Sequence, residues 1–376
     1  METKLVKLGD IISLNYGKSL TKKNRIPGNV PVYGSSGITD YHDKPLVDAP
    51  SLIIGRKGSI GSVFLSEVPF YPIDTTYFAK ESDLNGLDLH FAYYFLKFLP
   101  LSEMNTDSAV PGLNRNNFYS LDVVIPDIKS QKIIAFFLDQ ISYKIKINQQ
   151  INKNLLQMME NCYRKMLKNA IYNHQSKQRN ILTVADNIIT GKTPSTKNPG
   201  YYGGDTPFIT IPDMQGNVFV TVTKKRLTQS GTSVQQNKEI PALSLNVSCI
   251  GTVGLVTINP TVAHTNQQIN SVIVSKDKLW ELFFELRSLK GVMENMASGG
   301  TTILNMNKAI FSKLQINLLS PAIRKQFNAY ANPIFEQILI NDEQNHKLAK
   351  VRDLLLPKLL AGQIDLSNLE GAIQNA

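Results

Sequence analysis

Two short stretches have the residue types and spacing to hold a phosphate. Gly17-Lys18-Ser19 near the start is answered by Gly191-Lys192-Thr193 in the middle of the chain. A phosphate loop built on the second triplet would also need a glycine five positions earlier, and that position is Asp186. A nucleotide loop is excluded there. Gly55, Gly58 and Gly61 do not match the dinucleotide-binding fingerprint and, with Gly251 and Gly254, suit tight turns between strands. His42, His90, His174, His264 and His346 are scattered without ligand spacing, and Cys162 and Cys249 stand far apart, so neither a metal site nor a disulfide framework is indicated. No pair of carboxylates and no Ser/His/Asp set recurs, and no catalytic residue is assigned. What remains is a supply of loop cations, amides and hydroxyls.

Such groups suit a polyanion with a readable edge, since Arg and Lys can make two bonds to guanine, and Asn and Gln two to adenine. Candidates in the first half are Lys18, Lys22, Ser35, Ser36, Arg56, Lys57, Asn114 and Arg115. In the second half they are Lys192, Thr193, Lys197, Lys224, Lys225, Asn266, Gln267, Gln268, Thr301 and Thr302, with Gln267 and Gln268 foremost because they follow a Thr-Asn turn. Most of the lysines are expected on phosphate or in water. Asn198-Pro199-Gly200-Tyr201 comes close to the Asn-Pro-Pro-Tyr sequence that holds the target amine in amino-methyltransferases. Its second proline is Gly200, no glycine-rich cofactor loop precedes it and the first half has no counterpart, so it reads as a turn.

The elements that must position these groups occur twice. Ser51-Leu52 followed by Gly58-Ser59-Ile60-Gly61-Ser62-Val63 returns as Ser244-Leu245 followed by Gly251-Thr252-Val253-Gly254-Leu255-Val256, at a constant offset. The same offset relates Ile134 to Phe327, Ile141 to Ile334, Ile145 to Ile338, Asn148 to Asn341, Asn152 to Asn345 and Leu155 to Leu348. Pro126-x4-Gln131 answers Pro321-x4-Gln326, and Leu113-Asn114 answers Leu304-Asn305, at slightly different offsets. Apolar residues three or four apart, with no Gly or Pro, predict one long helix over 131–170, its stripe including Ile151, Met158 and Cys162. A second is predicted over 322–360, its stripe including Tyr330 and Val351, with Pro333 and Pro357 expected to kink or fray it. If the two pack together, Asn148, Asn152, Asn341 and Asn345 fall on a buried seam and fix its register. Ile141, Ile145, Leu155, Ile334, Ile338 and Leu348 complete that interface. Between the helices, short strand-forming runs such as Ser51–Ile54, Ser62–Leu65 and Leu121–Ile125, with helices over His90–Phe98 and Lys278–Met293, predict two small α+β units.

A net charge of +10 over 376 residues points to a nucleic acid. By segment the net charge is −1 for 1–130, +6 for 131–178, +5 for 179–320 and 0 for 321–376, so the excess lies on the central helix and the second unit. No run of apolar residues has the length of a membrane span, the start does not read as a signal peptide, and a cytoplasmic, membrane-free location is expected.

Order and duplication together resemble the specificity subunit of type I restriction-modification enzymes, over about residues 1–365. The residues that carry the likeness are the two Gly-Lys-Ser/Thr triplets, the paired Gly-x-x-Gly turns, Thr265-Asn266-Gln267-Gln268, Leu113-Asn114, the Pro-x4-Gln helix starts and the ending Leu355-Leu356-Pro357-Lys358-Leu359-Leu360. The first half departs by having Ile73-Asp74-Thr75-Thr76 where the second has Asn266-Gln267-Gln268-Ile269, which suggests two different target sequences. The resemblance implies an α+β fold of two duplicated target-recognition domains, 1–130 and 179–320, separated by two long antiparallel coiled-coil helices, 131–178 and 321–365, with a tail at 366–376. It also implies a subunit without catalysis that binds a bipartite, asymmetric site in double-stranded DNA. Partners would be two methyltransferase (M) and two restriction (R) subunits, and S-adenosylmethionine, ATP and Mg would sit on them, with no cofactor on this chain. The helix pair would act as a ruler: 38 residues at 1.5 Å each rise roughly 57 Å. Two readings of other classes stand beside it. A single-chain modification enzyme would bind S-adenosylmethionine alone, and a coiled-coil protein-binding module would show no salt-sensitive, sequence-dependent duplex binding.

Overall fold

The computed structural model describes residues 1–104, 112–298, 304–364 and 366. The chain forms two compact units, Met1–Lys146 with the segment from His346 on, and Ile147–Asn345.

In the first unit, strand Thr3–Lys7 pairs antiparallel with Asp122–Pro126. A four-stranded antiparallel sheet follows in the order Asn15–Tyr16, Thr76–Lys80, Ser51–Gly55, Val63–Ser66. Its central strand Ser51–Gly55 is buried at every position, which explains the unbroken apolar run Leu52-Ile53-Ile54. A three-stranded sheet joins Gly37–His42, Val30–Gly34 and Tyr71–Pro72, the last pair parallel. Helix Leu89–Phe98, capped by the Asp88 side chain accepting from the Phe91 N–H, buries Phe91, Tyr94 and Phe95.

The second unit repeats this topology strand for strand. Ser176–Asn180 pairs with Gln315–Leu319; the four-stranded order is Asn187–Thr190, Ile269–Ile273, Leu245–Ser248, Val256–Ile258; and the three-stranded sheet joins Lys225–Leu227, Tyr202–Ile209 and His264–Thr265. The helix expected over Lys278–Met293 is two helices, Leu279–Ser288 and Lys290–Ala297. An aromatic cluster around Phe335, with Trp280 stacked on it at 4.0 Å, fills the core.

The two long helices run Ile128–Tyr172 and Pro321–Leu360. Pro333 and Pro357 lie inside one helix that continues to Leu360, so the fraying expected at Pro357 does not occur. Each proline only forfeits its own N–H bond, and Ala331, Phe335, Leu356 and Leu359 beside them are anchored in the cores. The second helix ends as a Schellman motif, with Gly362 at φ 67 and N–H bonds from Gly362 to Leu359 and from Gln363 to Lys358.

The Asn seam forms within the second unit. Asn148, Asn152, Asn341 and Asn345 are 1%, 9%, 5% and 9% exposed. The Asn148 amide donates to Asn345 Oδ1 at 3.0 Å and to Gln344 Oε1 at 2.8 Å, and Asn341 donates to Asn152 Oδ1 at 2.8 Å. Pairing of 148 with 345 and of 152 with 341 makes the helices antiparallel. Leu155, Ile334 and Ile338 pack in the core of this unit, while Ile141, Ile145 and Leu348 are half-buried. The rest of the stripe needs correction. Ile151, Met158, Tyr330 and Val351 are exposed, and their neighbours Met159, Tyr163, Ala331 and Phe335 are buried instead. A spacing of three or four residues fits two adjacent rows of a helix equally well, and only the partner surface selects one.

The Pro-x4-Gln equivalence also fails. Gln131 is fully buried, donates to the carbonyls of Pro126 and Gly86 and accepts from the Asp88 N–H. In the second unit Arg324 holds that place, donating to the Leu319 carbonyl at 3.1 Å and to the buried Glu281 carboxylate, whereas Gln326 is exposed. An amide bridge in one unit is a buried ion pair in the other.

Candidate nucleic-acid interface

Each four-stranded sheet leads its first strand into the Gly-Lys-Ser/Thr triplet, and the same two backbone bonds fix it. Gly17 N–H donates to the Thr76 carbonyl and Lys18 N–H to Pro72; Gly191 N–H donates to Ile269 and Lys192 N–H to Thr265. A Cβ at Gly17 or Gly191 would run into the backbone carbonyl of Ile73 or Asn266, so only glycine fits. The triplet therefore serves to press the following lysine and hydroxyl against the loop between two strands. Phosphate-loop chemistry plays no part in this geometry.

The glycine turns behave as the spacing predicts. Gly58, Gly61, Gly251 and Gly254 all have positive φ, between 69° and 84°, a region costly for residues with a Cβ. The chain beside each turn is cross-linked at the equivalent place, Leu113 N–H to the Arg56 carbonyl in one unit and Met306 N–H to the Cys249 carbonyl in the other, both 2.8 Å. The segment equivalent to Leu113-Asn114 is thus Met306-Asn307, and the equivalence with Leu304-Asn305 is corrected. Asn114 and Asn307 each cap a short helix, accepting from backbone N–H groups at 2.8 Å and 2.9 Å.

In the first unit this scaffold brings Arg56, Lys57, Asn114 and Arg115 together around a pocket of about 480 Å³. Two lining residues, Tyr16 and Tyr77, had no signal as binding residues beyond their aromatic type. The guanidinium of Arg56 lies 4.9 Å and that of Arg115 5.0 Å from the Tyr16 ring centre, distances at which cation–π attraction holds them. Arg56 Nη1 also donates to the Asp74 carbonyl at 3.2 Å. Lys18 is exposed beside this loop. Lys22 is exposed on the turn Lys22–Asn24. Ser35 is tied into the glycine turn, where its Oγ accepts from the Ser59 N–H and its carbonyl from the Ser62 hydroxyl, and Ser36 is exposed on the hairpin.

In the second unit the Thr193 hydroxyl donates to Gln267 Oε1 at 2.6 Å, leaving Gln267 exposed but oriented. Asn266 is buried, and its Oδ1 accepts from the Gln268 N–H while its amide donates to Gln268 Oε1. It shapes the turn. Lys192 and Lys197 are exposed; Lys224 is exposed with its N–H on Asp213; the Lys225 ammonium lies 5.6 Å from the Tyr202 ring. Thr301 and Thr302 lie outside the described residues. The Cys249 thiol is pushed up to about 12 by burial, against the opposing bonds from Asn270, so it stays protonated and unreactive. Among the described residues no cluster of three or more His, Cys, Asp or Glu is placed to hold a metal, and no helix is long and apolar enough to cross a membrane.

Comparison with known proteins bears on this arrangement. Over 180 residues the chain is 47% identical to the "Type I restriction enzyme HindI specificity subunit" of Haemophilus influenzae, a stretch that covers 47% of this chain and 39% of that protein. Over 176 residues it is 27% identical to the "Type I restriction enzyme EcoprrI specificity subunit" of Escherichia coli, covering 43% of each. The chain is thus matched to less than half the length of these relatives. The crystal structure of a type I restriction-modification system S subunit from M. genitalium superposes with a TM-score of 0.60 at 13% identity, covering 95% of this chain and 96% of that one, which shows a shared fold. The family model described as "Type I restriction modification DNA specificity domain" matches residues 1–157 and 176–340. With one match over each duplicated unit, the chain belongs to the type I restriction-modification DNA specificity family.

Proposed function

We propose that this chain is the sequence-recognition subunit of a type I restriction-modification complex, binding a bipartite, asymmetric site in double-stranded DNA. The observation that carries the reading is the duplication itself: two units of one topology present equivalent loop clusters with different side chains. Two related readers with different loops suit two different half-sites. The target-recognition domains would be 1–130 and 179–320, and the long helices would space them and seat partners. Those partners would be two methyltransferase (M) and two restriction (R) subunits, with S-adenosylmethionine, ATP and Mg bound by them. Catalysis would lie wholly with the partners, adenine-N6 methylation on M and ATP-dependent cleavage on R.

The test is a domain exchange. Replacing residues 179–320 by the equivalent segment of another specificity subunit and mapping methylated adenines genome-wide should change one half-site and leave the other intact. Simultaneous change of both half-sites, or methylation unchanged by deletion of the gene, overturns the proposal.

A further inference from the structure

The duplicated units can be read against each other, position by position, at the cross-link beside the glycine turn. Backbone pairing sets Tyr16 opposite Tyr77 and Thr190 opposite Asn270, and the carbonyls of Arg56 and Cys249 receive equivalent bonds. Arg115 and Lys308 each open the short helix behind the capping asparagine. In the second unit these positions close on themselves: Thr190 donates to Asn270, Asn270 to the Cys249 sulfur, and Lys308 to the Ile188 carbonyl. In the first unit the same positions line the 480 Å³ pocket with two guanidiniums and two tyrosines, of which Tyr16 is 46% exposed, and Lys57 adjoins them.

We infer that the Tyr16–Arg56–Arg115 pocket is a specificity-determining site of the first unit, reading a guanine of its half-site from the major groove. The inference rests on the proposed DNA-recognition function. A phosphate contact needs only a flexible cation. Here both guanidiniums are held against the same ring, and Arg56 is further pinned by the Asp74 carbonyl, so ordering these forks on binding costs little side-chain entropy. A held fork matches the O6/N7 pair of guanine. Tyr16 is the positioning residue. The second unit has no guanidinium at this place, so its half-site carries no equivalent contact.

The experiment uses the full chain assembled with its methyltransferase partner, carrying Arg56→Lys, Arg115→Lys or Tyr16→Leu. The lysine variants keep the charge and lose the fork. Binding is measured against duplexes with every base placed in turn at each half-site position, at several salt concentrations. At least one Lys variant should lose discrimination for guanine at one position of the first half-site by roughly 5- to 150-fold, with the second half-site unaffected and the salt slope unchanged. Tyr16→Leu should relax the same position, again without altering the salt slope. Uniform weakening of all duplexes marks a phosphate contact and overturns the inference, as does full retention of discrimination in both Lys variants. If the unaltered complex shows no sequence preference, the inference falls together with the function it rests on.

Discussion

Replacing Asp342 by Asn tests the energetics of the helix seam. Asp342 accepts from the Asn152 amide at 2.8 Å, and burial raises its carboxyl from the ordinary 3.8 to about 6, against that hydrogen bond. A shift of about two units corresponds to up to about 3 kcal/mol between the two protonation states. The sign follows from the raised value. The folded unit binds the proton more tightly than the unfolded chain, so this contribution is full below pH 3.8 and is lost as pH rises through 6. Asn at 342 stays neutral and retains a carbonyl to accept from Asn152. The variant should therefore match the parent near pH 4 and exceed it by up to about 3 kcal/mol at pH 8, or roughly 6–12 °C in Tm for a unit of this size. Thermal unfolding of both proteins from pH 4 to 8, read as the difference between them, isolates this group from all other titrations. A difference that does not change with pH would refute the argument that burial dominates at Asp342.

Three further outcomes are expected. Asn148→Leu strands the buried Asn345 side-chain carbonyl in the seam and should cost about 1–3 kcal/mol, and a double-mutant cycle with Asn345→Leu should show a coupling of about 0.5–3 kcal/mol by urea unfolding; strict additivity would mean the amides do not interact. Arg324→Gln leaves the Glu281 carboxylate buried without its counter-charge and should cost about 3–5 kcal/mol, while Arg324→Met with Glu281→Leu should recover most of it; a single variant within about 1 kcal/mol of the parent would contradict a buried pair of this strength. Gln267→Ala should change preference at one base position by about 1–3 kcal/mol in a methylation map, and equal loss at every site would remove it from direct readout.

Periodicity and duplication were enough to place the major elements. A three-to-four-residue apolar spacing over 131–170 and 322–360 sets the two long helices to within a few residues, because helical geometry is local. The constant offset between the halves required one topology twice, and both units have it. The four seam asparagines could also be read from sequence, since a polar residue repeated at equivalent places in two apolar stripes implies that they meet.

Other features depended on tertiary structure. Which helical row is buried, Met159 and Ala331 rather than Met158 and Tyr330, depends on the partner surface, which sequence spacing does not encode. Equivalent roles drifted across the halves, with Arg324 and not Gln326 in the place of Gln131, because a buried site demands a hydrogen-bond donor aimed at a carbonyl and accepts different chemistries that supply one. Tyr16 and Tyr77 join Arg56 and Arg115 only once four separate segments fold together. Pairing sequence-distant side chains into a pocket is a property of the sheet register and the turn glycines, and no local pattern in the chain announces it.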